Sequence, residues 1–197
     1  MQHKICFARH WHLEWKYSDY NCLSFEDMRD LWINKYPYNI DISDIPHDIG
    51  SFWKSDLCYT SFQNRAIETA NSLWFSLPRK VVFLDEIHFD LFTLMTSEEY
   101  NNKWWLSFIR TALWQAFFGR RTWIESPESV MGRIQSFITE ISQLNEQNII
   151  AISHWFYLQM VKCFLVKWVD FTKISYDEFL NLDIKPIGYL ENFVVLI

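Results

Sequence analysis

Two short apolar runs, one near each end of the chain, both stop at a histidine. Ile5-Cys6-Phe7-Ala8 runs into Arg9-His10, and Asn148-Ile149-Ile150-Ala151-Ile152 runs into Ser153-His154. Apolar runs of this length without polar alternation suit strands covered on both faces, as in parallel sheets. Open α/β sheets hold their ligands just beyond the carboxyl ends of such strands. The sequence therefore predicts a sheet with two histidines at one edge, and a site there.

The intervening segments supply helices. Ala66, Ala70, Leu73, Trp74 and Leu77 share a helical face, with Ser61 as the expected cap and Arg65 in the first turns. Ser126-Pro127 starts a second helix with a capping hydroxyl and a proline at the first helical position. Its buried stripe is Val130, Ile134, Phe137, Ile138 and Ile141. An amphipathic helix follows His154, through Phe156, Met160, Cys163 and Phe164. An earlier helix is expected from Ser24 towards Asn34, with Leu23 and Met28 as a hydrophobic staple. Another is expected from about Asn102 to Phe118, and further strands over Asp56–Thr60, Lys80–Leu84 and Gly188–Ile197.

Strands alternating with helices define the expected fold class, α/β. The expected architecture is a three-layer sandwich with a mostly parallel central sheet flanked by helices. No internal repeat or linker interrupts the chain, so residues 1–197 read as a single domain.

Composition narrows the function classes. A net charge of −6 argues against a nucleic-acid partner. The most hydrophobic run, Trp155 to Val169, is interrupted by Gln159, Lys162 and Lys167, so no membrane span is expected. The amino terminus lacks the pattern of a signal peptide. Cys6, Cys22, Cys58 and Cys163 have no close metal-ligand spacing, and a cytoplasmic location is the expectation. Aromatic residues make up 19% of the chain, which points to a thick aromatic core or to an aromatic-lined ligand site.

Five segments in order resemble the histidine phosphatase (phosphoglycerate mutase-like) superfamily. Ile5 to His10 is similar to its strand and Arg-His-Gly signature, with Trp11 in place of the glycine and Trp15 at its frequent later tryptophan. Ser61-Phe62-Gln63-Asn64-Arg65-Ala66-Ile67-Glu68-Thr69-Ala70 resembles its arginine-bearing helix start. Leu84-Asp85-Glu86-Ile87-His88-Phe89 is similar to the segment with the proton donor. Glu125-Ser126 with Arg133 matches its Glu-Ser helix, and Ile152-Ser153-His154 its second histidine motif, with Trp155 where glycine is usual.

The resemblance implies a metal-independent phosphatase without a cofactor, acting on a small phosphorylated molecule, a phosphomonoester or a diphosphate. His10 would be the nucleophile, Glu86 the acid and base (with Asp85 the adjacent alternative), and His154 the second histidine donating to the phosphoryl group. Arg9 and Arg65 offer planar donors to phosphoryl oxygens, and such transfer is catalysed mainly by positioning and electrostatics. Lys16 stands where the family often has a phosphate-contacting asparagine, and reads as a phosphate ligand or a surface lysine. His12 is a further candidate near the site. Glu125 and Arg133 read as a helix-start carboxylate and its structural ion-pair partner.

Trp11 and Trp155 read either as core residues or as apolar contacts selecting a substrate with an apolar or aromatic portion. The lost glycines also keep open a non-hydrolytic or altered family member, and a phosphomutase is the enzymatic alternative. A metal centre from His10, His12, His88 and His154 matches none of the usual short ligand motifs. A cap is expected at about residues 91–123, with Trp104 to Trp123 over the site and Arg110, Arg120 and Arg121 as candidates for further anion contacts. Oligomeric state is left open.

Overall fold

The structure is a computed structural model that describes residues 2–11, 24–27, 40–41, 57–90, 93, 96–102, 106–185, 187–188 and 191–197. Five strands form one sheet: β1 (Lys4–Arg9), β2 (Leu57–Thr60), β3 (Arg79–Lys80), β4 (Asn148–Ser153) and β5 (Asn192–Leu196), in the order β3-β2-β4-β1-β5. All pairs are parallel except β5, which runs antiparallel along β1. The mostly parallel α/β sheet is thus present, with helices on both faces.

The pleat of β1 and β4 divides the core. Ile5, Phe7, Ile149 and Ala151 point to one face, together with Tyr59. There they meet the stripe of α4 (Pro127–Ser142), the almost wholly buried α5 (Trp155–Leu165), and Leu113, Trp114 and Phe117 of α3 (Leu106–Phe118). Cys6, Ala8, Cys58, Ile150 and Ile152 point the other way, onto Ala66, Ala70 and Leu73 of α1 (Asn64–Ser72). One face is thick and aromatic, the other thin and made of small side chains. Two short helices, α2 (Ser97–Asn102) and α6 (Tyr176–Leu180), complete the described helices labelled here.

Several local expectations change. The strand expected over Lys80–Leu84 shrinks to Arg79–Lys80, and Val82–Leu84 form a turn of 3-10 helix. The cause is Arg133, whose Nη1 donates to the carbonyls of Val82, Phe83 and Asp85 and gathers them on one side. Ser61 is not the N-cap of α1: it lies two residues earlier, where its Oγ accepts from the Gln63 N–H at 3.2 Å and faces His154, and Gln63 is the N-cap without a side-chain bond. The helix expected from Asn102 to Phe118 is described as α3, and Asn102 instead ends α2. Ser126 caps α4 by accepting from the Ser129 N–H, with Pro127 at the first turn. Ser24 accepts from the Asp27 N–H at a helical start; the remainder of that expected helix and its staple lie outside the described residues.

Candidate active site

The site is set by register. Arg9 of β1 lies opposite Ser153 of β4, and the His10 N–H donates to the Ser153 carbonyl at 3.0 Å. His10 and His154 therefore leave the same sheet edge side by side, with ring centroids 5.1 Å apart and planes tilted by 50°. Both are buried, as are Arg9, Arg65 and Glu86.

Hydrogen bonds assign different tautomers to the two rings. A carbonyl only accepts, so the 2.6 Å contact of His10 Nδ1 with the Trp11 carbonyl places the proton on Nδ1 and the lone pair on Nε2. Arginine only donates, so Arg65 Nε at 3.2 Å from His154 Nδ1 leaves that nitrogen as the acceptor. The proton of neutral His154 is then on Nε2, facing Ser61 Oγ at 2.7 Å. Both pKa values lie well below the usual histidine range. For His10 the largest cause is burial, then the charges of Arg65 and Arg9, against a smaller upward pull from the Trp11 carbonyl. For His154 burial again leads, followed by Arg65.

The main chain and α1 hold this pair in place. The Trp11 N–H donates to Thr69 Oγ1 at 2.9 Å, and Thr69 Oγ1 donates to the Arg65 carbonyl. One turn of α1 is thereby tied to the segment following β1. Arg9 directs Nη1 to the Ile187 carbonyl at 3.2 Å, and its charge reaches both histidines.

Glu86 lies at the amino terminus of α5. Its Oε1 accepts from the Tyr157 and Ile87 N–H groups and its Oε2 from the Phe156 N–H. A carboxylate there fills donors that a helix start leaves unsatisfied. Burial nevertheless raises its pKa, against those three bonds and the Arg65 charge. Asp85, whose pKa burial also raises, is turned elsewhere: its Oδ1 accepts from the Phe62 N–H at the turn before α1. Arg133 pairs with Glu125 at 2.7 Å and stacks over the Tyr157 ring, bracing the segment that carries Glu86.

A cleft of about 670 Å3 opens beside Glu86. Gln63, Phe89, Asp90, Trp123 and Glu125 are among its lining residues. His10, His154, Arg9 and Arg65 are not among its lining residues; Glu86, which feels the Arg65 charge, and Gln63, two residues before Arg65 in sequence, are.

The sequence-derived candidates His10, His154, Arg9 and Arg65 converge, and Glu86 adjoins them. Lys16 and His12 lie outside the described residues. Trp155 packs its ring against Trp114 and Phe156, under the Arg110 guanidinium at 4.6 Å. Trp11 is half-buried, and both its main-chain groups serve the site. Neither tryptophan needs positive φ. Trp104 and Trp105 lie outside the described residues, whereas Trp114, Phe117 and Phe118 are in the core and Trp123 is at the cleft. Arg120 pairs with Glu128 and the Thr172 carbonyl. Sequence reasoning assigned no site role to Ser61, Thr69 or Gln63, although Ser61 and Thr69 stand in the segment that resembles the family's arginine-bearing helix start.

The model of the histidine phosphatase superfamily (branch 1) matches residues 49–185. The chain belongs to that superfamily.

Among solved structures, the native structure of a mycobacterial glucosyl-3-phosphoglycerate phosphatase is similar at 13% identity and TM-score 0.62, over 100% of this chain and 91% of that one. A phosphoserine phosphatase from Entamoeba histolytica, in complex with 3-phosphoglyceric acid, gives 15%, 0.57, 98% and 89% in the same order. A putative alpha-ribazole-5'-P phosphatase from Escherichia coli gives 17%, 0.53, 91% and 84%. These likenesses concern the fold. No curated protein matches the sequence. Among the described residues, no helix is long and apolar enough to cross a membrane.

Proposed function

We propose that the chain is a phosphatase that hydrolyses a small phosphoester through a phosphohistidine on His10, without a metal. The observation that carries this reading is the bond from His10 Nδ1 to the Trp11 carbonyl, which puts the lone pair on Nε2 beside two buried arginines. A neutral imidazole is a competent nucleophile, and burial, followed by the arginine charges, keeps it neutral. Membership of a phosphatase superfamily and the fold likeness to phosphatases support the same chemistry.

In the first step His10 Nε2 forms a bond to phosphorus as the bond to the leaving oxygen breaks. Arg9 and Arg65 take the charge that spreads over the phosphoryl oxygens, and His154 Nε2–H turns from Ser61 to one of them. Protonated Glu86 gives its proton to the leaving oxygen. In the second step the Glu86 carboxylate accepts a proton from water, whose oxygen displaces His10 and releases phosphate. Lys16 is assigned to the phosphate as a further cation. Trp123 and Phe89 form an apolar wall for the alcohol portion of the substrate, and of the expected cap only Thr122 and Trp123 are assigned to this wall, because Trp114, Phe117 and Phe118 are in the core. The half-buried Trp11 ring, beside the nucleophile, is assigned to the same apolar selection; Trp155 would reach it only by leaving Trp114. The setting proposed is the cytoplasm, where buried thiols such as Cys6 need no partner.

Intact-mass measurement on a mixture quenched during turnover of an aryl phosphate tests the proposal. An acid-labile gain of one phosphoryl group, absent in His10→Ala, is expected; turnover by His10→Ala at the wild-type rate would overturn it. The non-hydrolytic alternative is favoured by one observation, the engagement of both His154 nitrogens. It predicts phosphate-ester binding with no release of alcohol.

A further inference from the structure

Two acceptors on the wall of the cleft beside Glu86 hold unused capacity. Glu86 Oε1 accepts from the Ile87 and Tyr157 N–H groups, which occupies both its lone pairs. Among the described residues Oε2 accepts from the Phe156 N–H alone, at 3.2 Å, so one of its lone pairs is left for a proton. Gln63, on the same wall, is 8% exposed, and its Oε1 has no hydrogen-bond partner among the described residues. A buried acceptor of this kind calls for a donor. Glu125, also on this wall, is committed to Arg133 and Ser129. The main chain of Gln63 is fixed relative to the histidine pair. Its N–H donates to Ser61 Oγ, which faces His154, and its carbonyl accepts from the Ala66 and Ile67 N–H groups on either side of the first turn of α1. As the N-cap it makes no side-chain bond to that helix, so its amide is not spent there.

We propose that Gln63 is a catalytic residue of the second step, holding, together with Glu86 Oε2, the water that hydrolyses the phosphohistidine. The inference rests on the phosphatase reading and adds a residue to it. Two acceptors match a molecule with two O–H groups. A water that donates one proton to Glu86 and the other to Gln63 keeps its own lone pairs for phosphorus. Its oxygen forms the new bond to phosphorus as the bond to His10 Nε2 breaks, and that electron pair returns to the ring. One proton passes to Glu86 Oε2. The other stays on the oxygen, bonded to Gln63 Oε1, and leaves with the phosphate. An alcohol in the same place has one O–H, and once that goes to Glu86 the Gln63 oxygen stays buried and unpaired. Leaving a buried acceptor unpaired discriminates against the alcohol. Gln63 therefore directs the phosphoryl group to water and makes the enzyme a hydrolase in preference to a transferase.

Partition of the phosphoenzyme between water and methanol tests this on the full chain. An aryl phosphate loads His10, and inorganic phosphate and methyl phosphate are counted by phosphorus NMR at rising methanol. Per mole, the wild type is expected to favour water over methanol by about tenfold or more. Gln63→Leu and Gln63→Met are expected to bring that ratio down by about tenfold, through slower release of inorganic phosphate. Both products come from one phosphoenzyme, so a loss of folded protein or of the first step lowers both alike and leaves the ratio where it was. Equal use of water and methanol by the wild type, or an unchanged ratio in the variants, would overturn the inference and leave the phosphatase reading standing. Absence of both a phosphoenzyme and released phosphate would end the phosphatase reading and the inference with it.

Discussion

Arg65 donates from Nε to Nδ1 of His154 at 3.2 Å, while the neighbouring His10 directs its own Nδ1 at a carbonyl. Two adjacent imidazoles at one sheet edge thus carry their protons on opposite nitrogens. Long-range 1H–15N correlation spectra at neutral pH are expected to show His10 as the Nδ1–H tautomer and His154 as the Nε2–H tautomer. In Arg65→Lys the planar Nε donor is gone, and the His154 signals should move to a mixed or reversed pattern. Activity should fall with them, by a hundredfold or more in kcat/KM. Identical tautomers on both rings in the wild type would contradict the assignment.

The burial of Glu86 raises its carboxyl pKa, and this fixes how activity should respond to pH. The acid form is lost as pH rises through that raised value, so turnover of alkyl phosphates should decline on the alkaline side. Aryl phosphates with good leaving groups need less proton help and should decline less. Glu86→Gln should therefore lower kcat for an alkyl phosphate at least tenfold more than for such an aryl phosphate. Equal losses would remove Glu86 from the role of acid.

The depressed pKa values of the histidine pair also make a stability statement. In the unfolded chain both residues titrate near their ordinary value of about 6.5, whereas the folded protein keeps them neutral to much lower pH. Below about pH 6.5 the unfolded state binds more protons, so stability falls as pH falls, by up to about 1.4 kcal/mol per pH unit for each histidine. Glu86 works in the opposite sense. Its folded pKa is raised, so its contribution is fully present below its unfolded value of about 4.5 and is lost as pH rises through the folded value. Urea midpoints measured from pH 7.5 to 5.5 should drop in the wild type and drop less in His10→Gln. Parallel curves for the two proteins would contradict the neutral, buried state of His10.

Trp74 follows α1 with φ of 71°, and its N–H and that of Phe75 donate to the carbonyls of Asn71 and Ala70. This left-handed helix end favours glycine, and the Trp74 side chain is 72% exposed, so it contributes little packing. Trp74→Gly is expected to stabilise the protein by about 0.5–1 kcal/mol after the greater chain entropy of glycine is counted. Thermal unfolding would register this as a rise of a few degrees; a lower midpoint would mean that the indole is packed.

What could be read from the sequence was whatever local chemistry determines. The two strands ending at His10 and His154 were legible because an unbroken apolar run has few other homes, and α4 because Ser126-Pro127 encodes its own start. Ser61 carried the same capping signal, yet the structure gives its hydroxyl to His154, a residue 93 positions away. The strand expected through Leu84 failed for a similar reason, since Arg133, 48 residues beyond Asp85, gathers the carbonyls there. The aromatic residues around Trp114 were visible as composition, but nothing in their spacing told a core layer from a cover over the site.

The two sides of the sheet should also differ in their tolerance of sequence drift. On the α1 side, Cys6, Ala8 and Cys58 face Ala66 and Ala70, and that thin layer fixes how far Arg65 stands from His154. A single added methylene there lifts the helix and the guanidinium together, so changes in side-chain size and changes in chemistry cannot be separated. On the aromatic side, the layer around Trp114 is built of large rings that pack on one another. Homologous chains should therefore vary freely among large residues on one side of the sheet and keep small ones on the other.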